Sequence, residues 1–333
     1  KLILDKAVVR MNENKNHIKI KPTVIGLLIS LYTSLSSANE TSATHQEQTA
    51  PDNNGWLDNS HSFIVHHADN LAEWFDGFFG DARTEEEAPY STVRLRLETD
   101  WSENSDVDTD YKLRGKVHLP KLNKRLSLLF SDDESSNRDD LNQDQQDAPD
   151  DVALQYNNKE DKNHRIDTKL GIRSSGNPKG SIRYRYEKPF ADDLIGRFSE
   201  ELGYKGGDGA YSRARLEFDK ILDQQNVLSW NNKVDWEEDT SGVDWSSNIV
   251  LNKKLSAQRA LAYFVSASGA SQPDGLVNSY GLGVRYRQNF IKPWLYVEVQ
   301  PAYSWLKYQQ HSDRDGTASL FFRLEAVFER ESK

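Results

Sequence analysis

Between Ser319 and Phe328 the chain alternates strictly. Leu320, Phe322, Leu324, Ala326 and Phe328 fall on one face of an extended strand, and Arg323 and Glu325 fall on the other. A strand that is apolar on one side and charged on the other suits a wall between lipid and a polar lumen. The same period recurs back to Val93. It predicts fourteen strands, at 90–101, 111–119, 125–131, 152–156, 165–173, 181–187, 195–204, 211–218, 227–236, 243–251, 260–267, 279–287, 294–305 and 319–328. An even number returns both termini to one side of a membrane, as single-chain bacterial barrels require. The fourth candidate is short, and Pro189 with Asp192-Asp193 blurs the pattern over 188–203, so twelve strands stay open.

Connections test the pattern independently, because outer-membrane barrels have short periplasmic turns and longer outer loops. Those after even strands include 120–124, 252–259 and 288–293, all short; those after odd strands include 132–151, 268–278 and 307–318, all longer. Trp101, Tyr111, Tyr156, Tyr204, Trp236, Trp245, Trp294 and Trp305 lie near predicted strand ends, where interfacial aromatic girdles sit. The expected fold is therefore all-β: a transmembrane, antiparallel, up-and-down barrel over 90–329 in a bacterial outer membrane.

Upstream the period changes. Met11 opens a basic, polar stretch, followed by an apolar run of 13 residues from Thr23 to Leu35 and then Ser36-Ser37-Ala38. This is the layout of a secretory signal peptide over 11–38, cleaved after Ala38, and the run is too short for a membrane-spanning helix. Residues 1–10 precede this start and read as a lead outside the signal. Asn39 to Ser60 is polar without periodicity and reads as a disordered linker. Residues 61–81 then carry a helical stripe in which Phe63, Ile64, His67, Leu71, Trp74, Phe75, Phe78 and Phe79 share a face, opposite Asp69, Glu73 and Asp76. Gly80 is a natural stop. Such a helix packs at the barrel mouth or in its lumen, lies on the periplasmic leaflet, or docks a periplasmic protein.

The net charge of −10 conceals a division of sign. The predicted lumen faces carry Arg94, Arg96, Lys112, Arg114, Lys116, Lys169, Arg173, Arg183, Arg185, Arg213, Arg215, Lys233, Arg285, Arg287 and Arg323. Against these 15 bases stand nine acids: Glu98, Asp167, Glu187, Glu201, Glu217, Asp219, Asp235, Glu298 and Glu325. The bases and acids either pair across strands as a lattice or leave a passage that favours anions. Acidity concentrates in the predicted outer loops, with nine acids over 132–151 and Asp106, Asp108 and Asp110 alternating in the first loop. Asp106 to Asp110 lacks the Gly and distal Glu of an EF-hand, so a solvated loop is the better reading and no metal is expected.

No cysteine occurs, which removes disulfides, thiolate metal sites and a lipid-acceptor cysteine. Of the eight His, none sits with Ser in a rim pair, and no Gly-x-Ser-x-Gly or His-Glu-x-x-His run occurs. No catalytic residue and no cofactor is therefore expected.

Phe78-Phe79-Gly80-Asp81, then Val93-Arg-Leu-Arg-Leu97, then Leu119-Pro-Lys-Leu-Asn-Lys-Arg-Leu126, resembles an uncharacterised family of proteobacterial outer-membrane β-barrel proteins. The resemblance covers Trp74 to Phe328 and implies location and fold, with no activity. The last strand also resembles the signal that barrel assembly machinery recognises. Expected partners are that machinery, outer-membrane lipid, lipopolysaccharide and, on one reading, a periplasmic protein held by the helix; no nucleic acid is expected. The function expected first is a channel or passive transporter for small anionic solutes, lined by Arg94, Arg96, Arg114, Arg183, Arg185, Arg213, Arg215, Arg285 and Arg287. The rivals are a closed barrel that anchors a partner through Leu71, Trp74, Phe75, Phe78 and Phe79, and a barrel enzyme acting on lipid or lipopolysaccharide.

Overall fold

Fourteen strands close on themselves in the computed structural model, which describes residues 71–72, 74–80, 91–119, 123, 125–131, 152–161, 163–272, 275–307 and 313–330. They are β1 (Ser91–Ser102), β2 (Ser105–His118), β3 (Leu126–Ser131), β4 (Val152–Glu160), β5 (His164–Ile172), β6 (Pro178–Ala191) and β7 (Leu194–Lys205), followed by β8 (Gly209–Ile221), β9 (Asn226–Glu237), β10 (Asp244–Ser256), β11 (Arg259–Ala270), β12 (Leu276–Phe290), β13 (Lys292–Leu306) and β14 (Asp315–Arg330). Each pairs antiparallel with its neighbours in sequence, and β14 pairs with β1 from Ser91↔Arg330 to Ser102↔Ser319. Closure satisfies the edge hydrogen bonds that an open sheet would expose to lipid. All fourteen predicted strands are present, including the hairpin about which the sequence was ambiguous: Pro189 lies inside β6 and Asp192-Asp193 forms its turn to β7.

The side-chain period sorts the wall into two faces. On β1, Thr92, Arg94, Arg96 and Glu98 are buried while Leu95 is half exposed to the outside. The outward face continues around the barrel through Leu154, Leu170, Ile182, Leu202, Leu216, Val234, Ile249, Val265 and Leu282. Aromatic pairs mark both rims: Trp294 stacks on Phe328 at one end, and Trp305 meets Tyr280 and Tyr303 at the other. Close packing across the wall relies on missing side chains, as at Gly283, where a Cβ would stand 2.4 Å from the Phe264 ring.

One rim carries most of the tight connections, including Asp192-Asp193, Ala257-Gln258 and Ile291 alone, together with the start of β1 and the end of β14, while the opposite rim has two short ones, Glu103-Asn104 and 206–208. Ile291 is held at φ 63°, a conformation that β-branched residues avoid. The opposite rim carries the connection over 132–151, whose acids lie outside the described residues. The first loop differs from expectation. β1 and β2 are joined by Glu103-Asn104 only, and Asp106, Asp108 and Asp110 belong to β2. Asp108 and Asp110 keep the strand period and continue the face of Lys112 and Arg114 as inward positions, while Asp106 lies at the register shift opposite Asp100 and Ser102. Tyr111 accordingly sits in the body of β2 and not at its end. The signal peptide, the linker and residues 61–70 of the expected helix also lie outside the described residues.

Candidate functional site

The inner wall is the only surface where the chain gathers charge at low exposure among the described residues. Eleven buried bases (Arg94, Arg96, Lys112, Arg114, Lys116, Lys169, Arg183, Arg185, Lys233, Arg287 and Arg323) face six buried acids (Glu98, Asp167, Glu201, Asp219, Glu298 and Glu325). Buried ions of one sign need partners, and the barrel supplies them across strands.

The first assembly spans β12, β13, β14, β1 and β2. Glu325 accepts from Arg96 Nε at 2.6 Å and Arg94 Nη1 at 3.2 Å, and it also pairs with Arg287. Glu298 receives Arg287 at 3.2 Å and Arg323 at 3.3 Å, and Glu98 receives Arg323 at 2.8 Å and Lys112 at 3.2 Å. Arg285 donates to Gln300 at 2.9 Å. Along the register Glu98↔Arg323↔Glu298↔Arg287 the sign alternates, so each ion meets its opposite on the next strand.

The second assembly spans β5 to β9 and holds two neighbouring rows. Asp167↔Arg183↔Glu201↔Arg213↔Asp235 alternates in sign, with Arg213 to Asp235 at 2.7 Å, Arg183 on Glu201, and Tyr211 donating to Glu201 at 2.8 Å. The adjoining row runs Arg165↔Arg185↔Ser199↔Arg215↔Lys233 and carries cations with no acid among its members. Arg165 and Arg185 share Asp167, at 2.9 and 3.6 Å, and Lys233 reaches Asp235 at 2.6 Å. Across β5 to β9 this row holds four bases and no acid of its own, and on β4 it continues to Glu160.

A short helix, α1, covering residues 71–72 and 74–79, sits inside the barrel at the rim of tight turns. Leu71, Phe75, Phe78 and Phe79 are buried against Val227, Ala260 and Ala262, and Trp74 packs there with Ile221, Val250 and Tyr296. Phe78 meets Tyr296 edge-on at 5.6 Å, Lys254 lies 4.2 Å over the Trp74 ring, and Arg285 lies 5.4 Å over Phe79. Gly80 ends the helix at φ 77°, donating its N–H to Asp76 O at 3.0 Å. Its carbonyl then accepts from Arg96 at 3.3 Å and Arg114 at 3.4 Å. The negative end of the helix dipole thus faces the first arginine assembly. A Cβ at Gly80 would meet Arg94 Nη1 at 2.8 Å, so glycine serves both the turn and the approach.

All nine sequence-predicted arginines lie on the inner face, but they do not form one site. Arg94, Arg96, Arg114, Arg285 and Arg287 belong to the first assembly, and Arg183, Arg185, Arg213 and Arg215 to the second. Arg165 and Arg197 were missed. Arg165 stands at a strand start with the parity of Asp167, and Arg197, paired with Asp219 and with Glu187 at 2.6 Å, lies in the stretch that Pro189 obscured. The helix seat was missed as well. Its signal is a set of small or apolar residues, Ala260, Ala262, Val227 and Val250, at inward positions where charge predominates elsewhere. His118 Nδ1 lies 3.3 Å from Ser127 Oγ, on the inner face at the rim of tight turns and away from the opposite leaflet.

No family model and no curated protein matches the sequence. Solved structures with a similar course include OmpT, an outer membrane protein of Vibrio cholerae, at 10% identity and TM-score 0.43, covering 72% of this chain and 96% of that one. OccK10 (OpdN) of Pseudomonas aeruginosa follows at 6% identity and TM-score 0.44, with 73% and 99% covered. The KdgM porin follows at 5% identity and TM-score 0.36, with 71% and 99% covered. The location rests on the barrel's own surfaces. Fourteen closed strands, an apolar outer face, aromatic rims and a charged interior make this an outer-membrane β-barrel.

Proposed function

We propose that the chain is an outer-membrane channel whose basic wall favours small anionic solutes and whose periplasmic mouth is stopped by α1. The observation that carries this reading is the buried inner wall, where eleven bases meet six acids, together with the inward row Arg165, Arg185, Arg215 and Lys233, which has no acid of its own on β5 to β9. Fixed cations raise the local anion concentration and lower that of cations, an effect that salt screens. The row faces an interior of fourteen strands, wide enough to hold more than wall side chains. The helix sits beside the first assembly, at the rim that holds both barrel termini.

Single-channel conductance and reversal potential of the mature chain, with and without residues 39–80, test the reading in a salt gradient. The expected result is anion-selective current that rises on truncation. A second reading, a sealed barrel that anchors a partner, draws support from the ion pairs that cross the first assembly and from the helix in the mouth. Silence from both correctly folded forms would establish that reading and remove the channel.

A further inference from the structure

The outward face carries no charge in the middle of its described strands except at one point. On β7 the alternation of Phe198, Leu202 and Tyr204, all exposed, places Glu200 among them on the lipid side. Among the described residues it is the one charged side chain on an outward face in the central part of a strand. The charged outward residues Lys188, Lys220 and Lys253 stand toward strand ends. A charge facing lipid at depth is costly, and a polar group there marks a contact or a path.

Glu200 is not isolated. Ser212 on β8 donates to it at 2.7 Å. On β9 and β10, Ser247 donates to Asn232 Oδ1 at 2.9 Å, the Asn232 amide reaches the Leu216 carbonyl at 3.3 Å, and Trp230 Nε1 donates to Ser247 at 3.1 Å. Four adjacent strands thus present a polar band with a carboxylate acceptor at one end and an amide donor, braced by Ser247, at the other.

We propose that this face is the interface between two copies of the chain in the membrane, related by a two-fold axis along the membrane normal near β8 and β9. Two features of the band select a second copy. All copies insert with the same orientation, so each brings its polar band to the same depth without adjustment. The order of groups is also self-complementary, because the two-fold sets β7 of one copy opposite β10 of the other. Glu200 of each copy then faces the Asn232 side of its partner, and the carboxylate exchanges lipid for the second N–H of the Asn232 amide, whose first goes to the Leu216 carbonyl. The proposal does not depend on whether the barrel conducts.

The chain has no cysteine, so single cysteines report the contact directly. Ser212→Cys, with Ala214→Cys as a second reporter on the same face, is compared with Leu95→Cys on β1, in the full mature chain reconstituted into phospholipid vesicles and oxidised. The expected result is a disulfide-linked dimer from the β8 positions, several-fold above Leu95→Cys. Glu200→Leu with Asn232→Leu should weaken dimerisation by about tenfold, as expected from one or two hydrogen bonds between membrane segments. Equal cross-linking from β1 and β8 would overturn the proposal. So would a wild-type chain that stays monomeric at every protein-to-lipid ratio, or an association that the paired leucine variant leaves unchanged. A monomer would assign the band to lipid or to a different protein.

Discussion

Removing one ring from the helix tests how firmly the mouth is stopped. Phe75 is 2% exposed, meets Trp74 edge-on at 5.0 Å and stacks on Phe79 at 6.3 Å, above the floor made by Ala260 and Ala262. Phe75→Ala deletes the ring and keeps the helix. In a dry core such a change costs about 3–5 kcal/mol, of which part is the empty cavity. Here water can enter from the mouth and relieve part of that cavity cost, leaving a value nearer the transfer of a phenyl side chain, about 1.5–3 kcal/mol. A loss of about 2–4 kcal/mol between these limits raises the undocked fraction of α1 by about thirtyfold to a thousandfold, at 1.36 kcal/mol per factor of ten. Conductance alone could miss this if docking were very strong, because a thousandfold gain on a minute population leaves the mouth stopped. Amide hydrogen exchange at Trp74 to Phe79 reads the opening constant directly and does not depend on that baseline. The barrel amides, paired around a closed sheet, serve as internal control. An opening constant for these helix amides that rises less than fivefold, with the barrel protected as before, would refute the seat described for Phe75.

Glu325→Gln keeps the volume of a fully buried side chain but withdraws the charge that holds Arg94, Arg96 and Arg287. The cost expected from uncompensated buried charge is about 3–5 kcal/mol, read as a lower urea midpoint for unfolding from lipid vesicles; a loss under about 1 kcal/mol would contradict the pairing. Asp223, in the tight turn between β8 and β9, accepts from the Gln225 N–H at 2.8 Å and from Asn226, and these bonds hold its carboxyl below the usual 3.8. Because the folded value is depressed, the turn's contribution is present above the unfolded pKa and is lost as pH falls through the folded one. A carbon-13 titration of Asp223 with its midpoint at or above 3.8 would show that the turn does not form these bonds.

Much of the wall was legible because strand geometry is a local rule. A period of two assigns every residue of a strand to one face, so a single buried position fixes the rest. By that rule Arg94, Arg183, Arg213 and Arg287 share the inward parity of their strands while lying on four different ones. The same rule, applied further, would have extended β2 through Asp106, Asp108 and Asp110, which composition alone suggested were loop. Arg197 was lost for a local reason too, since Pro189 interrupts the strand signal although it is tolerated inside β6 beside the turn.

Sequence by itself determined the all-β barrel class, the alternation of charged and apolar faces, the apolar outer belt and the aromatic face of a helix near Gly80, since each follows from spacing within a few residues, while closure decided fourteen strands over twelve. Tertiary structure alone decided which charges neutralise one another. Arg96 and Glu325 are 229 positions apart in sequence and meet only when β14 closes on β1. Closure likewise turned one row of β5 to β9 into an alternating ladder and its neighbour into a basic one, because register across five strands is set by all the turns together. The seat of α1 was decided in the same way. Small residues on β11, apolar ones on β9 and β10 and the arginines that meet Gly80 are separated along the chain, and only the curvature of the barrel makes them one surface.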